Sequence, residues 1–276
     1  MAKTSIVGRE RELEQIATAI RLKRNLLVEG PVGVGKTFLI LRALEKLKLG
    51  YERIDGDTRY TEQKLTGWFD PPLVLKKGYG ADSFLPGPLY LAMQKGRVLF
   101  INELNRMPEA VQNILLPAMD ERRIALPKIG ELAAKEGFLV IATQNPSEFT
   151  ATHSLSEALL DRFEMIRLPY QSREEELGIL KFQVGKRLGD AVCEKIIDLI
   201  RATRNHPGLK RGASLRAALA IGDLTGSGLS LEEACFLALP SRIELLSAED
   251  NVFDVIRGLL EGNAPSASPE KKKTSR

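Results

Sequence analysis

The stretch Gly30-Pro31-Val32-Gly33-Val34-Gly35-Lys36-Thr37 decides the fold of this chain, because it matches the phosphate-binding loop pattern. In that pattern two glycines are separated by four residues and followed by Lys and Ser or Thr. A short apolar segment, Asn25–Glu29, precedes the loop, and Lys36–Leu47 continues with helical periodicity. The order of strand, loop and helix therefore predicts a nucleotide triphosphate site rather than a glycine-rich turn that binds nothing.

The residues of this loop have separate roles in the predicted site. The glycines allow backbone N–H groups to face phosphate oxygens, and the helix N-terminus adds a partial positive charge. Lys36 is expected to contact the β and γ phosphates of ATP, and the Thr37 hydroxyl to ligate Mg²⁺.

Composition describes an ordinary globular protein of 276 residues, with 43% hydrophobic and 28% charged residues. No apolar run approaches the roughly 20 residues needed to cross a bilayer, and the N-terminal residues lack the apolar core of a signal peptide. We therefore expect a cytoplasmic protein without membrane contact. Cys193 and Cys235 lie in helical apolar patterns, which indicates core packing rather than a disulfide or metal site. The net charge of +4 permits contact with nucleic acid without indicating it.

Short apolar segments that alternate with helical ones predict a parallel sheet covered on both faces. The five predicted strands are Leu26–Val28, Tyr51–Ile54, Val98–Asn102, Phe138–Ala142 and Met165–Leu168. A long passage rich in Gly and Pro, Asp57–Lys95, separates the second strand from the third and is expected to hold an inserted element.

The pattern becomes helical after Ser172, which places a domain boundary near Tyr170. We expect an α/β nucleotide-binding base domain over residues 1–170 and an all-helical domain over 171–261. Residues 262–276 are rich in Ser, Pro and Lys and are expected to be disordered. Predicted helices in the second domain are Ser172–Leu188, Ala191–Asn205, Ser214–Thr225, Leu231–Leu239 and Ser247–Glu261.

Three segments after the loop carry a family resemblance: Arg97–Glu121 (RVLFINELNRMPEAVQNILLPAMDE), Phe138–Pro146 (FLVIATQNP) and Leu155–Met165 (LSEALLDRFEM). In this order and spacing they resemble the Walker B, sensor 1 and arginine-finger segments of AAA+ ATPases, specifically of the MoxR family. Gly212–Arg216 is similar to the sensor 2 segment of that family. The resemblance implies an AAA+ P-loop domain with a five-stranded parallel sheet flanked by helices, followed by a small all-helical lid domain.

Glu103 and Asn145 are the candidate residues for activating water. Glu103 follows an apolar strand, so its carboxylate is expected at the carboxyl end of the sheet, where it could act as a general base. Asn145 resembles sensor 1, which implies a hydrogen bond to that water and to the γ phosphate. The alternatives are a solvated carboxylate at a strand end and a turn residue before Pro146.

Two arginines are candidates for stabilising charge on the transferred phosphoryl group. Arg162 resembles the family arginine that reaches into a neighbouring subunit, and Arg216 the lid arginine that covers the nucleotide. A lone surface Arg is otherwise a solvated charge. Val7 and Gly8 occupy the positions where the family packs the adenine ring, although such a pair before a helix can also be a hydrophobic staple.

Asn102 departs from the family pattern, which has the Walker B aspartate at this position. An Asn oxygen can still accept a hydrogen bond from a metal-bound water, but it brings no negative charge. Because Mg²⁺ would be bound directly by Thr37 and the phosphates, we expect weaker metal affinity rather than loss of the site. The departure also keeps open a nucleotide-gated scaffold that binds ATP with little hydrolysis.

Two further segments resemble inserted hairpins of the family, Gly67–Gly87 and Arg122–Lys135. Exposed aromatic and basic residues there suit a surface that faces a partner or a pore. The alternative is that Trp68 and Phe69 are buried against the helix beneath.

The resemblance implies an ATP-hydrolysing chaperone that forms a homo-oligomeric ring, with a hexamer favoured, and remodels a client or adaptor protein. MoxR relatives often act with a partner that contains a von Willebrand factor A domain. A nucleic-acid motor or loader is the alternative from another class. The mild charge and the lack of a basic stripe stand against it.

Overall fold

The structure is a computed structural model that describes residues 8–145, 153–247 and 249–262 of the chain. It divides into two compact units, Arg9–Tyr170 and a second unit that groups Gly8 with the described residues from Gln171 onward. Each unit has its own apolar core. Over the described ranges, no helix combines the length and apolar character that a membrane span requires.

The first unit alternates helices and strands. Its elements are, in chain order, α1 (Glu10–Arg21), β1 (Leu26–Glu29), α2 (Lys36–Lys46), β2 (Tyr51–Asp55), α3 (Glu62–Thr66), β3 (Gly67–Phe69), α4 (Pro71–Lys77), β4 (Phe84–Pro86), α5 (Pro88–Lys95), β5 (Val98–Asn102), α6 (Glu109–Asn113), α7 (Leu115–Asp120), β6 (Arg123–Leu126), β7 (Gly130–Ala133), β8 (Leu139–Gln144), α8 (Glu157–Leu160) and β9 (Glu164–Arg167).

A five-stranded sheet in the order β2-β5-β8-β1-β9 forms the centre of this unit, and all its pairings are parallel. The predicted parallel sheet is therefore confirmed. The strands β5 and β8 are unbroken apolar runs because both their faces are covered. Leu99 and Ile101 of β5 join the same apolar cluster as Leu89 and Met93 of α5. The helix α1 packs against β1, β9 and α2.

The passage between β2 and β5 holds an inserted hairpin, in which β3 and β4 pair antiparallel around the helix α4. Trp68 is 43% exposed and Leu75 is 90% exposed. Phe69 instead packs edge-on against Phe84, with ring centroids 5.4 Å apart. The adjacent aromatic residues Trp68 and Phe69 therefore differ, since Trp68 is exposed and Phe69 packs within the hairpin. A second hairpin, formed by β6 and β7, precedes β8.

The second unit is predominantly helical, whereas the sequence predicts an all-helical domain. Its elements are α9 (Arg173–Val184), α10 (Asp190–Arg204), β10 (Leu209–Arg211), α11 (Leu215–Gly226), α12 (Leu231–Ala238), β11 (Glu244–Leu245) and α13 (Val252–Leu260). Capping boxes at Ser172 and Ser230 begin α9 and α12. The antiparallel pair of β10 and β11 was not predicted, because strands of three and two residues show no alternating pattern.

A buried carboxylate joins two helices of the second unit. Glu176 of α9 is 1% exposed, and its Oε1 lies 2.8 Å from Nη2 of Arg204 on α10. Its Oε2 accepts hydrogen bonds from Arg204 at 3.2 Å and from Arg201 at 3.0 Å. Since a buried charge is tolerated only when it is paired, this cluster fixes how α9 packs on α10.

Replacing Glu176 by Gln is expected to lower the free energy of unfolding by about 3 kcal/mol, because Arg204 would keep a buried charge without its carboxylate. The measurement is urea unfolding followed by circular dichroism. Asp198→Asn is the matched control, since it removes an exposed carboxylate bonded to Arg173 and should cost less than about 1 kcal/mol. Equal losses in both variants would contradict the role of the buried cluster.

Candidate nucleotide-binding site

The carboxyl ends of the parallel strands lie at one edge of the sheet, which is where ligands bind in open α/β folds. The strand register aligns Asp55 with Asn102, and Glu29 with Gln144. The residues that follow these positions share the same edge: Gly30, Glu103 and Asn145.

The loop between β1 and α2 has the geometry of an anion cradle. Gly33 and Gly35 have φ values of +80° and +91°, in the region that favours glycine. A Cβ added at Gly35 would meet no atom within 4 Å, so its backbone borders open space. No side-chain hydrogen bond caps α2 in the described part of the chain, and the partial positive charge of a helix N-terminus favours an anion beside the loop. The loop therefore fits the phosphates of a nucleotide.

Lys36 lies folded over this loop. Its Nζ donates hydrogen bonds to the carbonyl oxygens of Gly30 at 2.6 Å and Pro31 at 2.9 Å. The ammonium group is therefore held at the mouth of the loop, where phosphate oxygens could replace these carbonyl partners. Val32 and Val34 complete the loop between the glycines.

Gly30 is required by packing. A Cβ at this position would lie 2.3 Å from the backbone oxygen of Leu168, which directly follows β9. The N–H group of Leu168 also donates to the oxygen of Glu29 at 2.7 Å. The first glycine of the loop thus allows the end of β9 to lie against the loop.

Asn102 is the centre of a hydrogen-bond network at the edge of the sheet. Its Oδ1 accepts hydrogen bonds from the hydroxyls of Thr37 at 2.8 Å and Thr143 at 3.1 Å. Its Nδ2 donates to Oδ1 of Asp55 at 2.9 Å. A hydrogen bond from Arg53 is the main cause that lowers the pKa of Asp55 below its usual value. Hydroxyl, amide and carboxylate oxygens are the donors that Mg²⁺ prefers, so this set fits the ion.

Glu103 has an unusual backbone conformation, with φ +60° and ψ +55°. Its N–H group donates to the Thr143 hydroxyl at 2.8 Å, and its carboxylate accepts a hydrogen bond from Arg106 at 3.1 Å. Gly56 allows this conformation, because a Cβ there would lie 2.1 Å from the Glu103 oxygen. The strained residue directs a partly exposed carboxylate at the same edge as the loop, as is common at functional sites.

Asn145 lies directly after β8 and is buried. Its backbone oxygen accepts a hydrogen bond from Nδ2 of Asn105 at 3.2 Å. The register of β1 with β8 places Asn145 one residue beyond the pair of Glu29 and Gln144. It therefore lies beside the start of the loop, and its role as sensor 1 stays a prediction.

Arg162 is held by a carboxylate of its own chain. Its Nε and Nη2 contact Oδ2 of Asp120 at 2.7 and 2.5 Å, and its Nη1 donates to the Ala158 oxygen. The hydrogen bond to Asp120 raises the pKa of Arg162 above its usual value. The guanidinium is therefore charged and fixed in position within the first unit.

The remaining predicted residues belong to the second unit or lie outside the described residues. Arg216 is exposed in the first turn of α11, where it makes no hydrogen bond or ion pair with any described residue. Gly8 has φ +70° and packs against Glu175 so closely that a Cβ would lie 1.9 Å from its Oε1. Val7 lies outside the described residues. The nucleotide contacts of these three residues stay predictions.

Three residues of the site network were not predicted from the sequence: Asp55, Thr143 and Asp120. Thr143 gives a recognisable signal, because it is a hydroxyl residue in an otherwise apolar buried strand. Asp55 could have been found as a carboxylate at the end of a predicted strand. Asp120 gives no local signal, since it meets Arg162 only through the tertiary fold.

The fold and the site define the class of protein: a parallel α/β domain with a glycine-rich loop between β1 and α2 is a P-loop nucleotide-binding domain. Residues 25–163 match the family described as AAA domain (dynein-related subfamily). The chain belongs to this family.

Similar proteins agree with this assignment. An uncharacterized protein of Staphylococcus saprophyticus is 30% identical over 231 residues, which cover 81% of this chain and 87% of that protein. The gas vesicle ATPase GvpN of Ancylobacter aquaticus is 28% identical over 231 residues, which cover 77% of this chain and 64% of GvpN. The crystal structure of NtrX from Brucella abortus in complex with ADP matches with a TM-score of 0.57 and 17% identity, over 97% of this chain and 58% of that chain. At this identity the structural likeness supports the fold alone.

Gly30→Ala is expected to lower the free energy of unfolding by about 1–3 kcal/mol, because the new methyl group has no room beside the Leu168 oxygen. The measurement is the urea midpoint of the purified protein without nucleotide. Gly80→Ala serves as control, since Gly80 has extended backbone angles and open space around a Cβ. If Gly30→Ala is as stable as the control, the close approach of β9 to the loop is wrong.

Proposed function

We propose that this protein binds and hydrolyses ATP with Mg²⁺. The observation that carries the proposal is the edge of the sheet where Lys36, Thr37 and Glu103 come together through the loop and the Asn102 network. This edge combines a loop that can bind phosphates, oxygen atoms that can ligate a cation, and a carboxylate that can accept a proton from water. The name of the relative GvpN as an ATPase supports the same activity.

In the proposed site, binding and charge neutralisation are divided between two residues and the metal ion. Lys36 would exchange its carbonyl partners for phosphate oxygens. Mg²⁺, when bound with ATP, would neutralise phosphate charge and polarise the γ phosphate. Thr37 would offer its hydroxyl oxygen to the cation, because its hydrogen is donated to Asn102.

Glu103 is the proposed general base. A carboxylate at the end of β5 can accept a proton from a water molecule that lies beside the phosphate loop. The hydrogen bond that the Glu103 N–H group donates to Thr143 holds its backbone, and the one that its carboxylate accepts from Arg106 holds its side chain, which limits the number of orientations to be ordered during reaction. Asn145 would orient the same water.

We also propose self-assembly into a ring, with Arg162 acting on the site of a neighbouring subunit. The support is the resemblance of the Leu155–Met165 segment to the arginine-finger segment of MoxR proteins, together with the charged and fixed state of Arg162. In the proposed ring, a hexamer by resemblance, Arg216 of the lid would cover the nucleotide. Remodelling of a client or adaptor protein in the cytoplasm, with a von Willebrand factor A domain partner, is the chaperone role that this resemblance favours.

Glu103→Gln is expected to keep ATP affinity and to lose at least about 100-fold in turnover, since an amide cannot take a proton. Lys36→Ala is expected instead to abolish tight binding, because it removes the main point charge facing the phosphates. Calorimetric titration and phosphate release measure the two effects. Normal ATP affinity in the Lys36 variant would overturn the assignment of the loop. Binding without hydrolysis in the wild-type ring would favour a nucleotide-gated scaffold.

Mixing Arg162→Ala with Lys36→Ala is expected to recover activity that each variant lacks, because mixed rings contain some intact sites facing an intact arginine. Arginines supplied in trans contribute about 10³–10⁵ to the rate. ATPase activity is measured across mixing ratios, with mixed assembly verified by native mass spectrometry. Arg21→Ala, which removes an exposed arginine paired with Glu14, should retain activity by itself. Verified mixed rings without recovery at any ratio would contradict the role in trans.

A further inference from the structure

Asp55 supplies a carboxylate beside Asn102, the position at which the resemblance to MoxR proteins leads one to expect the Walker B aspartate. It is the last residue of β2, and the strand register pairs it with Asn102 at the end of β5. The Asp55 Oδ1 accepts a hydrogen bond from Asn102 Nδ2 at 2.9 Å. The two strand ends therefore carry one carboxylate and one amide in direct contact.

The chemistry of its three partners determines which way the Asn102 amide faces. A carboxylate only accepts hydrogen bonds, so the end of Asn102 that faces Asp55 must carry the NH₂ group. The hydroxyls of Thr37 and Thr143 can donate or accept, and would tolerate either orientation. Asp55 is thus the partner that directs the Asn102 oxygen to Thr37.

The charge of Asp55 makes a second and smaller contribution. Arg53 binds the same Asp55 oxygen at 2.7 Å, and the two side chains are 39% and 61% exposed. Solvent and the guanidinium therefore screen much of the negative charge at this position. Orientation of the Asn102 amide is the effect that the geometry supports most directly.

We propose that Asp55 is a positioning residue of the magnesium site, which acts by holding the Asn102 oxygen against the Thr37 hydroxyl. The inference rests on the proposed binding of ATP with Mg²⁺. Through this contact Thr37 donates its hydrogen to Asn102 and keeps its oxygen lone pairs for the cation. In this chain the carboxylate of the pair lies at the end of β2 and the amide at the end of β5.

The test is a double-mutant cycle of Asp55→Asn, Asn102→Asp and the variant that combines them. For each protein, the affinity for a fluorescent, non-hydrolysable ATP analogue is measured with Mg²⁺ and with EDTA. The ratio of these two affinities is the metal-dependent gain in nucleotide affinity. Thermal melting without nucleotide is recorded in parallel. Asp57→Asn is the matched control, because Asp57 lies two residues away and bonds the Arg59 N–H group at 2.7 Å.

Asp55→Asn is expected to reduce the metal-dependent gain about tenfold, the lower end of the range for partners of metal ligands, because the Asn102 amide can then face either way. Asn102→Asp by itself places two carboxylates in contact, and should lower the melting temperature. The combined variant again pairs one carboxylate with one amide, and should recover the gain to within about threefold of wild type. Asp57→Asn should behave like wild type.

A metal-dependent gain that is unchanged in Asp55→Asn would overturn the role of Asp55 and leave the proposed ATP site intact. If the gain in affinity is lost in Asp55→Asn and stays lost in the combined variant, the idea that one carboxylate and one amide can act in either order at positions 55 and 102 is wrong. The combined variant keeps the test informative if Asp55→Asn melts too early to be assayed. A wild-type protein that binds no nucleotide with or without Mg²⁺ would overturn the proposed function, and the role of Asp55 with it.

Discussion

Parallel pairing of β1 with both β8 and β9 is the constraint on which the first unit depends. Because every strand of the sheet runs in the same direction, the chain must return by crossovers, and each strand delivers its next residue to the same edge. The loop after β1, Glu103 after β5 and Asn145 after β8 are distant in sequence and adjacent in register for this one reason. The site therefore depends first on the strand topology, which brings its residues to one edge of the sheet.

Backbone features of this arrangement could be predicted from the sequence. The apolar runs of β5 and β8 indicate strands buried on both faces, and the glycine pattern between a strand and a helix indicates a phosphate-binding loop. Capping boxes at Ser172 and Ser230 fix two helix starts for equally local reasons. Each of these signals lies within a few residues of the structure that it determines, so no tertiary information is needed to read it.

Side-chain partners that meet across the fold could not be predicted in the same way. The contact of Asp55 with Asn102 joins residues 47 positions apart in the sequence and depends on the register of β2 with β5, so a shift of one residue would separate them. The hydrogen bond of Arg162 with Asp120 likewise needs the positions of α7 and α8. For this reason the sequence indicates a missing charge at Asn102, whereas the contact of Asn102 with Asp55 becomes apparent only in the structure.

The contact of Gly30 with Leu168 has a mechanical consequence. Not even a methyl group fits between the loop and the end of β9. Because packed protein interiors are nearly incompressible, the loop cannot approach β9 any further without displacing its backbone. Any movement of the loop toward β9 would therefore displace the backbone at Leu168, which directly follows that strand. The position of the loop is thus tied to the end of β9 by backbone contact, without any side chain as intermediary.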